Sequence, residues 1–175
     1  MSFHKYDPTK VFDKRYFKKA ARTSKTSNLQ YMRWALYLKK YPDPMLELGC
    51  YRGDLVKELQ KRKKIVYGID ASNYCMDILK CKDILQVDAH YLPFKNNSFS
   101  TIFSFQLLEH LSLPRQCLED CLRILRPEGY FLAKWGYGEE DITHVSDFKL
   151  QWESVLKKYF KFIRRDLLYV YQKVE

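Results

Sequence analysis

The run Met45-Leu-Glu-Leu-Gly-Cys-Tyr-Arg-Gly-Asp-Leu-Val-Lys-Glu-Leu59 decides the fold. A short apolar stretch carrying one acid, Glu47, stops at Gly49. Gly53 follows, and apolar residues then recur at helical spacing from Leu55. Strand, tight turn and helix in that order bring backbone N–H groups and a helix N-terminus to the carboxyl edge of a sheet, where open α/β folds bind ligands. Gly49 permits a backbone conformation closed to most residues, and Gly53 permits close approach at the helix start. A carboxylate or phosphate fits against those N–H groups, and Glu47 is placed to orient the turn or to meet a cationic group. Taken alone, an acid and two glycines also describe an ordinary strand-to-helix turn.

Working outward, short apolar strands alternate with longer amphipathic helices. Met45–Leu48 is the first strand, with a helix over roughly Asp54–Arg62. Ile65–Ile69 is the second, followed by a helix from Ser72 to about Leu79. Ile84–Val87 is a short third strand and Thr101–Phe105 the fourth. A helix follows Pro114 to about Leu125, and Tyr130–Trp135 is the fifth strand. Strands spaced by helices imply a parallel sheet covered on both faces. The end departs from this alternation. After a loop at 136–146 and a helix near Asp147–Lys158 come Phe160–Ile163 and Leu167–Val174, joined only by Arg164-Arg165-Asp166. So short a link permits only antiparallel pairing. The expected architecture is a three-layer αβα, Rossmann-like fold: a mostly parallel seven-stranded sheet ending in an antiparallel hairpin.

Upstream, a helix is expected from Ser27, with Gln30 in the capping-box position and Leu29, Met32 and Leu36 at helical spacing towards Lys40. Tyr41-Pro-Asp-Pro44 ends it and marks a boundary between residues 1–42 and 43–175. Charge divides at the same place. The net +10 splits into +9 over residues 1–42, eleven Lys and Arg against Asp7 and Asp13, and +1 over residues 43–175, twenty against nineteen. A segregated excess points to an anionic partner, such as nucleic acid, a phosphorylated substrate or a membrane surface, or to packing on the chain's own Glu139-Glu140-Asp141.

The five cysteines match neither a CxxC pair nor a zinc ribbon, and Cys117 and Cys121 fall on the apolar stripe of one helix, so neither metal nor disulfide is expected. With no signal-like start and no apolar run of membrane length, the chain is expected to be soluble and cytoplasmic.

Asp70 narrows the ligand. It ends Val66-Tyr-Gly-Ile-Asp70, twenty-one residues after Gly49, where an acid accepts hydrogen bonds from both ribose hydroxyls, a role compatible with capping the next helix and favoured over capping alone. Asp88, closing the third strand, is placed to face an adenine amino group. The ordered series Leu46-Glu-Leu-Gly-Cys-Tyr-Arg-Gly53, Val66–Asp70, Val87-Asp-Ala-His-Tyr-Leu-Pro-Phe94, Asn97-Ser-Phe-Ser-Thr-Ile-Phe-Ser-Phe-Gln-Leu-Leu-Glu-His-Leu111 and Leu125-Arg-Pro-Glu-Gly-Tyr-Phe131 resembles class I S-adenosylmethionine-dependent methyltransferases, in the type 11 branch that includes quinone-biosynthesis enzymes. The motif detail covers about residues 44–135.

The resemblance implies S-adenosylmethionine as cofactor and S-adenosylhomocysteine as product. It implies that Glu47, Gly49, Cys50, Tyr51 and Gly53 shape the methionine side, that Asp70 holds the ribose and Ala71 lines the adenine pocket, and that Asp88 and Ala89 fix the adenine edge. Gln106 and Leu107 would stand near the sulfonium. The middle glycine of the family's turn is Tyr51 here, followed by Arg52, which either meets the cofactor carboxylate or points to solvent. His110 and His144 are the candidate general bases. Methyl transfer is an in-line displacement, so alignment supplies much of the acceleration without a base.

Tyr16 and Phe17, among Arg15, Lys18 and Lys19, read as a lid, as a stacking surface for RNA, or as the buried face of an amphipathic helix. The acceptor is not legible: a small molecule, RNA or another anionic substrate. The rival from another class is a catalytically weak, methyltransferase-like binding protein whose basic arm docks on RNA or a partner protein. A nicotinamide-dependent reductase fits less well, since Gly49 followed only by Gly53 lacks the three-glycine fingerprint.

Overall fold

A computed structural model describes residues 28–72, 82–134, 155–165 and 168–174. Its elements are α1 (Asn28–Leu38), β1 (Met45–Leu48), α2 (Asp54–Gln60), β2 (Val66–Asp70), β3 (Ile84–Gln86), β4 (Phe99–Phe105), α3 (Pro114–Ile124), β5 (Leu125–Lys134), β6 (Phe160–Arg165) and β7 (Tyr169–Lys173), with a 3-10 turn at Leu108–His110. The expected helix after Ser72, the loop at 136–146, Ser27 and the arm before it, Arg15, Tyr16, Phe17, Lys18, Lys19, Glu139-Glu140-Asp141 and His144 lie outside the described residues.

One seven-stranded sheet has the order β3-β2-β1-β4-β5-β7-β6. The first five strands pair in parallel, whereas β7 runs antiparallel to both β5 and β6. This is the expected sheet with a terminal hairpin, except that Arg164 and Arg165, expected in the link, extend β6 and pair with Val170 and Tyr169. Side chains alternate across it and build two cores. On one face Met45, Val66 and Phe103 meet Leu55, Val56 and Leu59 of α2 and Ala35 and Leu38 of α1. On the other, Leu46, Leu48, Ile69, Ile102 and Phe131 meet Cys117, Leu118 and Cys121 of α3 and Val155 and Leu156 of a helical segment at 155–159. Both α3 cysteines are fully buried, as small core residues on an apolar stripe are expected to be.

Three local features differ from the sequence expectation. The first is the buried face of α1. Leu29, Met32 and Leu36 are exposed, and the sheet takes Tyr31, Trp34, Ala35 and Leu38 instead. Those four also recur at i, i+3, i+4 and i+7, and their larger aromatic area favours them: the Trp34 ring meets Phe105 edge-on at 4.7 Å.

The second is the start of β5. It begins at Leu125, directly after α3, because a register shift between Phe99 and Thr101 of β4 carries Arg126–Gly129 past the ladder. Glu128 takes a positive φ of 58° there, and its carbonyl accepts the Gln172 amide at 3.0 Å. The third is the link from β3 to β4, which is held by side chains. Arg123 donates to Leu92 O at 2.8 Å and Phe94 O at 2.6 Å, while Asp120 accepts the Leu92 N–H at 2.8 Å.

The Tyr41–Pro44 bend is fastened to β4 in the same way. Thr101 Oγ1 donates to Pro42 O at 2.8 Å and Ser100 Oγ to Asp43 O at 2.7 Å, while Lys64 Nζ lies 2.8 Å from Asp43 Oδ1. No helix among the described residues is long and apolar enough to cross a membrane.

Candidate functional site

The turn from β1 to α2 runs through three residues in the left-handed region: Gly49 (φ 69°), Tyr51 (φ 49°) and Gly53 (φ 63°). Tyr51 therefore adopts the conformation a glycine would take, at a strain of about 1 kcal/mol. Asp70 holds it there. Its Oδ2 accepts the Tyr51 N–H at 2.9 Å, and its Oδ1 accepts the Ser72 N–H at 2.9 Å. One carboxylate at the end of β2 thus pins the neighbouring turn and shapes its own. Cys50 is buried beneath the turn, and its N–H donates to Ile69 O at 2.9 Å.

Both glycines are also places of close approach. A Cβ on Gly49 would stand 3.1 Å from Cβ and Cδ1 of Leu107, and a Cβ on Gly53 would meet Cδ1 of Ile84. The carboxyl ends of β1 and β4 are thereby drawn together. Gln106, just past β4, has a φ of 51°, and its N–H donates to Lys134 O at 2.7 Å. Leu107 opens the 3-10 turn carrying His110, whose N–H donates to Leu107 O at 2.8 Å.

Glu47 is buried on β1 between Gly68 of β2 and Phe103 of β4, and its Oε2 has no hydrogen-bond partner. Burial pushes its carboxyl well above the usual carboxylate range, and the nearby acids Asp70 and Asp54 push the same way. The Tyr31 hydroxyl shares this environment. Burial first, then Asp54 and Glu47, raise it to about 12, with Arg52 opposing. Arg52 is itself half exposed and lies 3.7 Å from Asp54.

Asp88 was expected at the adenine edge with Ala89, which is buried. Asp88 Oδ1 accepts both the His90 N–H at 2.9 Å and the His90 ring at 2.7 Å. Burial raises this carboxyl, yet the side-chain and backbone hydrogen bonds from His90 outweigh burial and hold it below its ordinary value. His90 is buried, and its Nε2 accepts the Leu113 N–H at 3.2 Å, so the ring proton sits on Nδ1 and points at Asp88. Ser112 Oγ is 3.3 Å from the same Nε2. An Asp-His-Ser row of this kind is no nucleophile-activating triad, because the nitrogen that would act as base already accepts a backbone N–H.

Glu47, Gly49, Cys50, Tyr51, Gly53, Asp70, Gln106 and Leu107 thus lie along adjoining carboxyl ends of β1, β2 and β4, with Ala71 following Asp70 and Asp88 beyond β3. Sequence reading missed Tyr31 and Trp34 of α1 and the buried His90. The i, i+3 aromatics were the available signal for the first two; nothing local marks the third. Among the described residues no three His, Cys, Asp or Glu side chains group as metal ligands.

A family model described as a methyltransferase domain matches residues 46–133, just over half of the chain. The chain belongs to this family, the type 11 branch of class I S-adenosylmethionine-dependent methyltransferases. It is 29% identical over 173 residues to an uncharacterised protein of Methanocaldococcus jannaschii, covering 93% of this chain and 64% of that one. It is 30% identical over 100 residues to the demethylmenaquinone methyltransferase of Thermotoga maritima, covering 54% of this chain and 44% of that one. The chain therefore spans less than two thirds of the length of these curated relatives. A solved structure of a candidate S-adenosyl-L-methionine-dependent methyltransferase from Methanococcus maripaludis superposes with a TM-score of 0.70 at 17% identity, covering 100% of this chain and 97% of that one.

Proposed function

We propose that this protein is an S-adenosylmethionine-dependent methyltransferase that holds its cofactor along the carboxyl ends of β1, β2 and β4. The observation that carries the reading is the buried Glu47 carboxyl, with Oε2 unpartnered, beside a left-handed turn that Asp70 of the next strand pins in place. A zwitterionic amino-acid tail needs an acid for its ammonium group, and a ribose needs an acceptor one strand further along. A carboxylate offers about four acceptor positions. Asp70 gives one on each oxygen to Tyr51 and Ser72, so the same group can brace the turn and receive ribose hydroxyls.

When bound, the cofactor supplies a methyl group activated on a sulfonium. The chain's own contribution is orientation. Gly49 against Leu107 keeps the wall of the site close to β4, and Trp34 over Phe105 covers the neighbouring strand end. Asp88, steered by His90, takes the adenine edge with Ala89 and Ala71. His110 and His144 are the candidates for accepting a proton from the acceptor. Residues 1–42 are the lid and substrate region, and their eleven cations favour an anionic acceptor, a small molecule or RNA, over a neutral one.

Calorimetry should show S-adenosylhomocysteine binding; absence of any binding at millimolar ligand would sink the assignment. Asp70→Ala should weaken that binding about tenfold or more, since a hydrogen bond to a charged group is worth about 1.5–3 kcal/mol. Unchanged affinity removes Asp70 from the ribose site. Incubating a cell extract with protein and methyl-labelled cofactor, then fractionating RNA, protein, lipid and small molecules, identifies the acceptor class.

A further inference from the structure

The carboxyl edge of the sheet is electrically divided. Its acids, Glu47, Asp54 and Asp70, belong to β1, α2 and β2, whereas the ends of β4 and β5 carry Phe105, Gln106 and Lys134. These two ends are held side by side, since the Gln106 N–H donates to Lys134 O at 2.7 Å. Gln106 leads directly into Leu107, the residue packed against Gly49. Lys134 thus borders the cofactor wall on the side away from the acids.

α1 lays aromatic rings over this corner. Trp34 meets Phe105 edge-on at 4.7 Å and Tyr37 at 6.4 Å, and Lys134 Nζ lies over the Trp34 ring, 5.1 Å from its centroid. Tyr31, one turn earlier on the same face, neighbours Glu47 and Asp54. Trp34, Phe105 and Lys134 are all partly buried. The ring attracts the ammonium charge but leaves its N–H donors unused. That sets Lys134 apart from the other partly buried lysines among the described residues. Lys57 donates to Arg52 O, Lys64 to Tyr41 O and Lys173 to Leu125 O, while the Lys134 ammonium has neither a hydrogen bond nor an ion pair among the described residues. A cation so placed has lost part of its hydration without gaining an anion.

We propose that Lys134 and Trp34 anchor the methyl acceptor, taking the carboxylate of a small aromatic acid whose ring lies against Trp34 and Phe105. This rests on the cofactor reading above. The single charge selects a carboxylate, because one ammonium balances one negative charge and a phosphate monoester carries about −1.5 to −2. The aromatic walls select a flat, apolar body. With its acid end held at β5, the acceptor extends towards Leu107 and the cofactor.

The full-length chain saturated with S-adenosylhomocysteine is titrated by calorimetry with 1-naphthoate, 1-naphthamide and 1-naphthyl phosphate. The acid is expected to bind about tenfold or more tighter than the amide, which keeps the ring and loses the charge. Lys134→Met should erase that preference and Lys134→Arg should keep it. Trp34→Leu should weaken acid and amide alike, because it removes the wall and not the charge; binding unchanged by it overturns the part given to the ring. Equal binding of acid and amide, no binding of either, or a preference that survives Lys134→Met overturns the inference, while bound S-adenosylhomocysteine leaves the cofactor reading standing. Tighter binding of the phosphate than of the acid overturns the carboxylate. Where S-adenosylhomocysteine does not bind, the cofactor reading fails, and the same acid and amide titrated into the ligand-free chain decide the subsite by themselves. The wild-type comparison of acid with amide holds even if a substituted chain folds poorly.

Discussion

Gly68→Ala tests how the ligand turn is seated. Gly68 lies inside β2 beside Glu47, and a methyl group there would stand 2.7 Å from Cys50 Sγ, 2.9 Å from Cys50 Cβ and 3.0 Å from Val56 Cγ2. The sulfur can rotate away. The Cys50 Cβ cannot, because it is fixed to a backbone whose N–H is bonded to Ile69 O at 2.9 Å. The turn must lift from β2 or the strand must shift. Overpacking of this kind costs about 1–3 kcal/mol. The unfolded chain, stiffer with Ala, returns about 0.4–1 kcal/mol of that. A net loss of about 1–2 kcal/mol is expected, which at a urea dependence of about 2 kcal/mol per molar moves the unfolding midpoint down by about 0.5–1 M.

Lifting the turn also stretches the 2.9 Å contact from Tyr51 N–H to Asp70, so S-adenosylhomocysteine affinity should fall with stability. Cys50→Ala removes the sulfur but leaves Cβ, and should recover part of the loss as a coupling of about 0.5–1 kcal/mol in a double-mutant cycle. A Gly68→Ala protein within about 0.5 kcal/mol of wild type, binding ligand normally, would refute the close seating of the turn on β2.

Three further perturbations bear on other parts of the molecule. The Glu47 carboxyl is raised in the folded state, so the ligand-free protein binds its proton more tightly than the unfolded chain does; stability should fall as pH rises from about 4.3 towards the folded value, and Glu47→Gln should flatten that slope in urea titrations across the window. A slope unchanged by the substitution would assign the effect to another group. His90→Ala strands the Leu113 N–H and strips Asp88 of its ring partner; a loss of about 2–4 kcal/mol is expected by denaturation, and a loss below about 1 kcal/mol would show the network to be dispensable. Removing residues 1–27 should lower turnover more than cofactor affinity, and a fully active truncation would dismiss the lid.

Much of the architecture is written locally. The step from apolar run to Gly49 and Gly53, the acid closing Val66–Asp70 and the three-residue link before the last strand are short-range facts, and short-range steric rules turn them into a parallel sheet with an antiparallel end. The alignment of Glu47, Gly49, Gly53 and Asp70 along one edge follows, because parallel strands place their carboxyl ends together.

What tertiary structure alone decided depends on partners distant in the chain. Two apolar stripes run along α1, and only the sheet beneath selects Trp34 and Ala35 over Leu29 and Leu36. Gly68 reads as an ordinary strand residue until Cys50 is packed against it. His90 gains its role from Asp88 on one side and Leu113, twenty-three residues away, on the other. Glu47 is an acid in the sequence. Burial beside two more acids, with Oε2 left without a hydrogen-bond partner, is what raises its carboxyl above the usual range, and burial belongs to the folded chain.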